Sequence, residues 1–294
     1  MSAHNPNATA DAMNATTPLP STKAGMPFRT RTLFFAIAWV IVLMPFLFWR
    51  STWFGRPLSD ANLDQYLHDS AHPRHIQHAL IQVAERIQRH DPGASRWYPE
   101  LSRLADYPVE EIRNTDAWAM GQDPSKPQFH EALLRMLKDS SPTVRNNAAL
   151  SLVSFGDNSG KEQITSMLKP SVVQSPGEGR IAAVAHSGDP IRQGTVIMQV
   201  IGVDKPYEIR SPTTGFVREI KVKLGQQIHA QQEIALIDPG VDQVWEGLRA
   251  LYVIGDMQDL PLAKAYQRED SRIPERVRQQ ANATEKAILS RAGQ

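Results

Sequence analysis

The sequence predicts a mainly α-helical chain with one all-β insert, preceded by a single N-terminal transmembrane helix. Three observations predict it. Residues 32–49 form an uncharged apolar run. Apolar residues recur at helical spacing both before residue 170 and after residue 241. Between residues 179 and 238 that period gives way to short alternating strands punctuated by Gly and Pro.

Composition narrows the function classes. The 294 residues carry 32 Lys+Arg against 31 Asp+Glu, a formal net charge of +1. Nucleic-acid binders ordinarily show a basic excess or stripe, so no nucleic-acid partner is expected. Cysteine is absent. That excludes a disulfide framework, Cys-ligated zinc or iron–sulfur sites, a thiol nucleophile and lipidation through Cys.

Residues 1–28 are rich in Ala, Asn, Thr and Pro. They hold too little apolar surface to offset their ordering entropy, so a disordered cytoplasmic tail is expected. Residues 29–50 are expected to cross the membrane. The eighteen uncharged residues 32–49 span about 27 Å as a helix, close to the bilayer core. Arg31 and Arg50 bracket the run, and Trp49 and Trp53 fall where an interfacial aromatic belt lies. Pro45 predicts a kink. No small-x-small site follows, so the segment reads as an uncleaved anchor. Lys23, Arg29 and Arg31 before it, against Arg50 and Arg56 after it, favour an inside N-terminus. The expectation is a single-pass inner-membrane protein with its bulk extracytoplasmic, in the periplasm if the cell has one.

Residues 58–170 read as paired helices. Leu133, Leu134 and Leu137 share one apolar face, and Asp139 to Pro142 form a turn with Pro in the first turn of the next helix. Val144, Ala148, Leu152 and Phe155 then recur at helical spacing, and Gly156 closes the unit. With Arg145 and Ala149 in place, this resembles the HEAT repeat. Asp69, Asp106 and Asp139 lie 37 and 33 residues apart, near the period of two-helix repeats. A further copy, with Asp270, Val277, Arg278 and Ala281, falls in residues 241–294. The resemblance implies a solenoid in which Asp139, Val144, Arg145 and Ala148 define the fold.

Residues 177–239 are expected to form the β unit, and its two halves look alike. Gly188-Asp-Pro-Ile191 is echoed by Gly225-Gln-Gln-Ile228, 37 residues later. Each Gly suits a left-handed turn position, and each Ile begins a strand directed into a small core. Pro212 and Gly215 mark a turn between them, and Phe216, Ile220 and Val222 supply apolar strand positions. This resembles the biotinyl/lipoyl-like barrel-sandwich hybrid, which occurs in carrier domains and in periplasmic adaptor (membrane-fusion) proteins. The carrier resemblance implies a modified Lys at the tip of the hairpin joining the halves, between two Met residues. That position is Asp204 here; Lys205 is one residue away, between Asp204 and Pro206. No cofactor is therefore expected, with Lys205 the residue to watch. The adaptor resemblance implies a long helical hairpin between the halves, but only residues 201–206 separate Val200 from Tyr207. Nor does an adaptor-type barrel follow Pro239. Residues 164–168 and 244–255 read as the two helices of one repeat, so the β unit is expected to replace the turn between them.

No catalytic motif stands out. His68, His72, His75 and His78 have spacings that suit a metal, but Pro73 breaks the face and no carboxylate pattern frames them. Exposed surface is expected there and no metal site. No phosphate loop, nucleophile elbow or zinc-protease motif is present. Trp97, Trp118 and Trp245 read as core or groove anchors. The expected function is a non-catalytic, membrane-anchored scaffold or adaptor that docks protein partners in a cell-envelope complex for transport or secretion. Two alternatives stay open: a carrier-type component of an enzyme complex, and a subunit or assembly factor of a membrane respiratory complex.

Overall fold

The computed structural model describes residues 28–51 and 57–293, with all side chains except those of residues 28–31, 33, 36 and 46–51. The expected disordered tail falls outside the described residues but for Phe28. The chain divides into two units, Met1–Pro57 and Leu58–Gln294.

In the first unit, α1 (Phe28–Ser51) contains the apolar run, with Pro45 inside it. Phe34, Phe35, Trp39, Ile41, Val42 and Met44 on it are exposed. Among the described residues no helix is long and apolar enough to cross a membrane. The described side chains of α1 end at Pro45, and the last five residues of the expected span, 46–50, lie beyond them.

The second unit is mostly helical with a β insert. Its helices are α2 (Asp60–Leu67), α3 (Pro73–Gln88), α4 (Tyr98–Leu104), α5 (Glu110–Met120), α6 (Pro127–Met136), α7 (Pro142–Ser154) and α8 (Lys161–Ser166). After the insert come α9 (Val241–Ile254), α10 (Leu260–Ala265) and α11 (Glu275–Ala292). They pack in chain order as pairs, and the second members stack in one row: α3 on α5, α5 on α7, α7 on α9, α9 on α11. Pro73, Pro127 and Pro142 open helices where a missing N–H costs nothing. Ser59 and Ser141 cap α2 and α7 through their hydroxyls. The apolar faces bury Leu67, Leu80, Leu104, Phe129, Leu133 and Leu152 completely, each contributing about 1.5–3 kcal/mol of transfer free energy.

One device recurs along the row. An Arg early in a second helix turns back to the carbonyls of the preceding turn. Arg113 donates to Tyr107 O and Pro108 O at 2.8 and 3.1 Å, and Arg145 to Asp139 O and Ser140 O at 2.7 and 3.0 Å. Arg278 donates to Ile273 O at 2.9 Å. Arg113 also pairs with Asp139 of the next turn through two bonds of 2.7 and 2.9 Å. That fork lowers the Asp139 pKa, with burial opposing it. Neighbouring second helices are stitched by Ser151 Oγ to Ala117 O and Thr284 Oγ1 to Leu248 O, both 2.8 Å.

The insert holds eight strands: β1 (Ser171–Gln174), β2 (Gly179–Val184), β3 (Pro190–Ile191), β4 (Val196–Gly202), β5 (Pro206–Arg210), β6 (Gly215–Ile220), β7 (Gln227–Ile228) and β8 (Glu233–Pro239). They form two four-stranded antiparallel sheets, β1-β8-β6-β3 and β5-β4-β2-β7. Ile181, Ile191, Val200, Val217, Ile228 and Ile237 meet between the sheets. β1 lies ahead of the expected start at residue 177. Its four residues carry no Gly or Pro punctuation, and only pairing with β8, Ser171 opposite Ile237, defines it as a strand.

The two halves are related bond by bond. Gly188 N donates to Val217 O at 2.7 Å and Val217 N to Asp189 O at 3.0 Å. In the other half Gly225 N donates to Ile181 O at 2.8 Å and Ile181 N to Gln226 O at 3.0 Å. Both glycines have positive φ, 95° and 78°, where a side chain is disfavoured. Ile191 faces Gly215 across the ladder as Ile228 faces Gly179. Ser211 and Ser175 are the matching buried hydroxyls, each donating at 2.6 Å to a carbonyl two residues on.

Candidate functional site

The joint between the halves is the hairpin of β4 and β5. Ile201 pairs with Pro206, so Gly202 and Lys205 flank a turn whose two central residues are Val203 and Asp204. Val203 is 83% exposed and Ile201 56%. Lys205 is exposed on the descending side of the turn. The apex therefore offers a carboxylate and an isopropyl group, and the ammonium sits one step off it. Gly202 admits no side chain, since a Cβ there would lie 2.6 Å from Lys205 O.

The opposite end of the module is held fast. Its two ends lead into α8 and α9, which pack on each other: Gln243 donates to Met167 O at 3.1 Å, and Gly247 lies against Leu168. Tyr266, beyond α10, donates to Leu168 O at 2.7 Å. Burial, with the Asp238 charge adding to it, pushes its hydroxyl up to about 12. Asp238 at the end of β8 meets Arg218 at 2.5 Å and Arg272 at 3.8 Å. Arg272 also grips Asp270 at 3.0 Å and, with its backbone N–H, holds that carboxyl down to about 2. A cleft of about 320 Å³ lies in this seam, with Phe216, Arg218, Arg268 and Ile273 in its wall.

A second surface follows from the row of second helices. A groove of about 1100 Å³ runs over α3, α5, α7, α9 and α11. Trp118, Leu150, Tyr252 and Val253 give it apolar ground, and Asn147 and Gln280 add amides. Tyr252 and Val253 are about half exposed, at 48% and 52%. Trp118 thus lines a groove. Trp97 is instead buried, donating to Asp64 at 2.7 Å beneath the guanidinium of Arg86.

The residues singled out in the sequence do not converge on one site. Gly188, Ile191, Pro212, Gly215, Gly225 and Ile228 are spread over the turns and core of the module. Asp139, Val144, Arg145 and Ala148 lie at the turn and first half of α7, with Val144 and Ala148 buried. The histidines do come together in part. Asp69, His72 and His75 place one ligand-type atom each within 4.8 Å of one another. The carboxylate thought missing from the histidine pattern is Asp69. It lies in the turn between α2 and α3, off the helical face that the spacing describes. Desolvation raises the Asp69 pKa, but hydrogen bonds from His75 and His72 outweigh it and the carboxyl sits below its ordinary value. His68 points elsewhere, to Asp64 O and Glu100, and His78 meets Gln82.

One buried acid was invisible to pattern reading. Asp116 on α5 is fully buried, and neither of its oxygens is hydrogen-bonded. Burial, reinforced by Glu100 and Asp106 against Arg103, raises its pKa well above the ordinary value.

A family model described as "Biotin-requiring enzyme" matches residues 165–237. That span is a biotin/lipoyl-type domain, carried inside a helical scaffold. No curated protein matches the sequence. Among solved structures, a single-chain, multi-domain long-chain acyl-CoA carboxylase is similar at 15% identity with a TM-score of 0.24. The likeness covers 34% of this chain and 11% of the carboxylase chain, and at that TM-score it carries no argument.

Proposed function

We propose that the chain is a non-catalytic docking subunit, in which the biotin/lipoyl-type module is a fixed structural piece and the helical row receives a protein partner. The observation that carries this reading is the seat of the module. A group carrier delivers its cargo between separate places and needs freedom to move. This module is tied at both ends to a packed helix pair, and it meets the helical part again where Arg272 reaches Asp238 and Thr213 donates to Gln243. Its hairpin apex carries Asp204 where a carrier would present Lys. We read the helical row as HEAT-like, supported by its stacked second helices and recurrent Arg. We read α1 as a single-pass anchor at the inner membrane, supported by the uncharged run of residues 32–49 and the exposed apolar side chains on it. The partner is then an envelope complex of transport, secretion or respiratory type.

Crosslinking mass spectrometry on native membranes tests the docking reading. A stoichiometric partner linked around the groove is expected, and Tyr252→Glu with Val253→Glu is expected to release it. Recovery of the chain alone would sink the proposal. Alkaline extraction tests the anchor: the chain is expected to stay with the membrane and to leave it when residues 32–49 are deleted.

A second reading is favoured by the family match and by the exposure of Lys205: a biotinyl or lipoyl carrier component. Intact mass of the chain from its native cell separates the two. An adduct that disappears in Lys205→Arg would establish the carrier reading, and an unmodified chain would remove it.

A further inference from the structure

The geometry points to a binding site for a divalent first-row transition metal at the turn between α2 and α3, formed by Asp69, His72 and His75. His72 Nδ1 lies 3.0 Å and His75 Nδ1 2.6 Å from the same Asp69 oxygen, Oδ2. A carboxylate oxygen only accepts, so both ring nitrogens are turned to a single anionic point. Ring nitrogens and carboxylate oxygens bind Zn²⁺ at about 2.0–2.2 Å, which sets neighbouring tetrahedral ligands roughly 3.3 Å apart. The cluster is already near that spacing, with all three atoms within 4.8 Å. A small outward shift of the two rings from the carboxylate opens the place for the ion.

The rings are oriented by their surroundings. The His72 and His75 rings stack with centroids 4.9 Å apart, and Tyr66 stacks on the other side of His75 at 4.5 Å. This three-ring pile sets the His75 plane before any ion arrives, which lowers the ordering cost of binding. His75 is largely shielded, at 18% side-chain exposure, whereas His72 is 64% exposed. The ion would thus have one firm wall and one side open to water, a three-ligand site with room for solvent. Two imidazoles and one carboxylate suit Zn²⁺, Co²⁺, Ni²⁺ or Cu²⁺, whereas Mg²⁺ and Ca²⁺ prefer all-oxygen ligands. Binding requires each ring to carry its proton on Nε2, so that the Nδ1 lone pair, now turned to Asp69, faces the metal, and neutral rings release no net proton. None of this depends on the docking or carrier readings.

Calorimetric titration of the full detergent-solubilised chain with Zn²⁺ tests the site. One equivalent is expected to bind. Loss of a second-shell group alone weakens metal sites by about 10–100-fold, so Asp69→Asn and His72→Ala are each expected to weaken binding at least about tenfold. The His72→Ala/His75→Ala pair is expected to bind none at this position. Co²⁺ gives a second readout, with ligand-field absorption in the parent that vanishes in the double variant. His72 is mostly solvent-exposed, so its Ala variant is expected to keep the helical circular dichroism of the parent and to isolate ligand loss from misfolding. Failure of the parent chain to bind Zn²⁺ at micromolar concentration would overturn the proposal. So would a His72→Ala chain that binds as tightly as the parent.

Discussion

The two halves of the β module use the same turns and the same bonds, yet they are held differently. In the half that ends in β8, the residue facing the Gly215 ladder is followed inward by Asp238, fixed by Arg218 and Arg272. In the other half the matching place is Ile201, 56% exposed beside the free hairpin. A near-repeat of sequence therefore yields one anchored half and one open half. The difference comes from a strand residue, Arg218, and from Arg272 beyond the module, which both meet Asp238.

Substitutions at matched positions sharpen or break that contrast. The largest effect is expected at Gly215, where an added Cβ would lie 1.8 Å from Asp238 O, a carbonyl in the anchored half. Gly215→Ala is expected to destabilise the module by about 3 kcal/mol, the upper range for overpacking. At Gly179 the added Cβ would meet Ile201 O at the longer distance of 2.5 Å. Gly179→Ala is expected to cost about 1–2 kcal/mol. Urea denaturation followed by hydrogen exchange in residues 171–239 measures both, and equal losses would break the contrast.

The serine pair comes next. Ser175 Oγ and Ser211 Oγ each satisfy a backbone carbonyl, so either Ala variant is expected to cost about 1 kcal/mol. Each has a second bond of 3.3 Å, Ser175 Oγ with Tyr207 OH and Ser211 Oγ from Thr213 N, so similar losses are expected in the same denaturation series. The smallest effect concerns a mismatch between the halves. Gly194 and Gln231 occupy equivalent turns with φ of 81° and 62°. Each N–H donates to the matching serine carbonyl, at 2.8 and 2.7 Å. Gln231→Gly relieves a left-handed side-chain residue and is expected to raise the thermal midpoint slightly, by up to about 1 kcal/mol of stability. Gly194→Ala is expected to lower it by a similar amount.

The legible parts of this fold were those with a period or a punctuating residue. Helical spacing marked the paired helices, and Gly188, Gly225, Pro212 and Gly215 marked a β unit between them. Short elements whose identity depends on a distant partner were not legible, and β1 is the example: Ser171-Val-Val-Gln becomes a strand only by pairing with β8. The Asp69 cluster was hidden for a related reason. Its carboxylate comes from a turn, and a search along one helix face does not see it. Asp116 was hidden because its burial depends on the helices that pack against α5. The groove was legible only in Trp118 as a core or groove anchor; its chemistry needed the side chains of five helices at once.

The placement of the module between α8 and α9 also dictates an order of events during synthesis. When α8 leaves the ribosome, its partner helix has not been made. At roughly 5–20 residues per second, several seconds separate Ser166 from Val241. Through that interval the exposed edge of α7 and the face of α8, with Ala149, Ile164 and Leu168, wait unmatched for Val244, Leu248 and Leu251. The nascent chain thus presents a half-built helical stack with a sticky end while the strands assemble. Closure of the stack by α9 reports that the module has emerged in full.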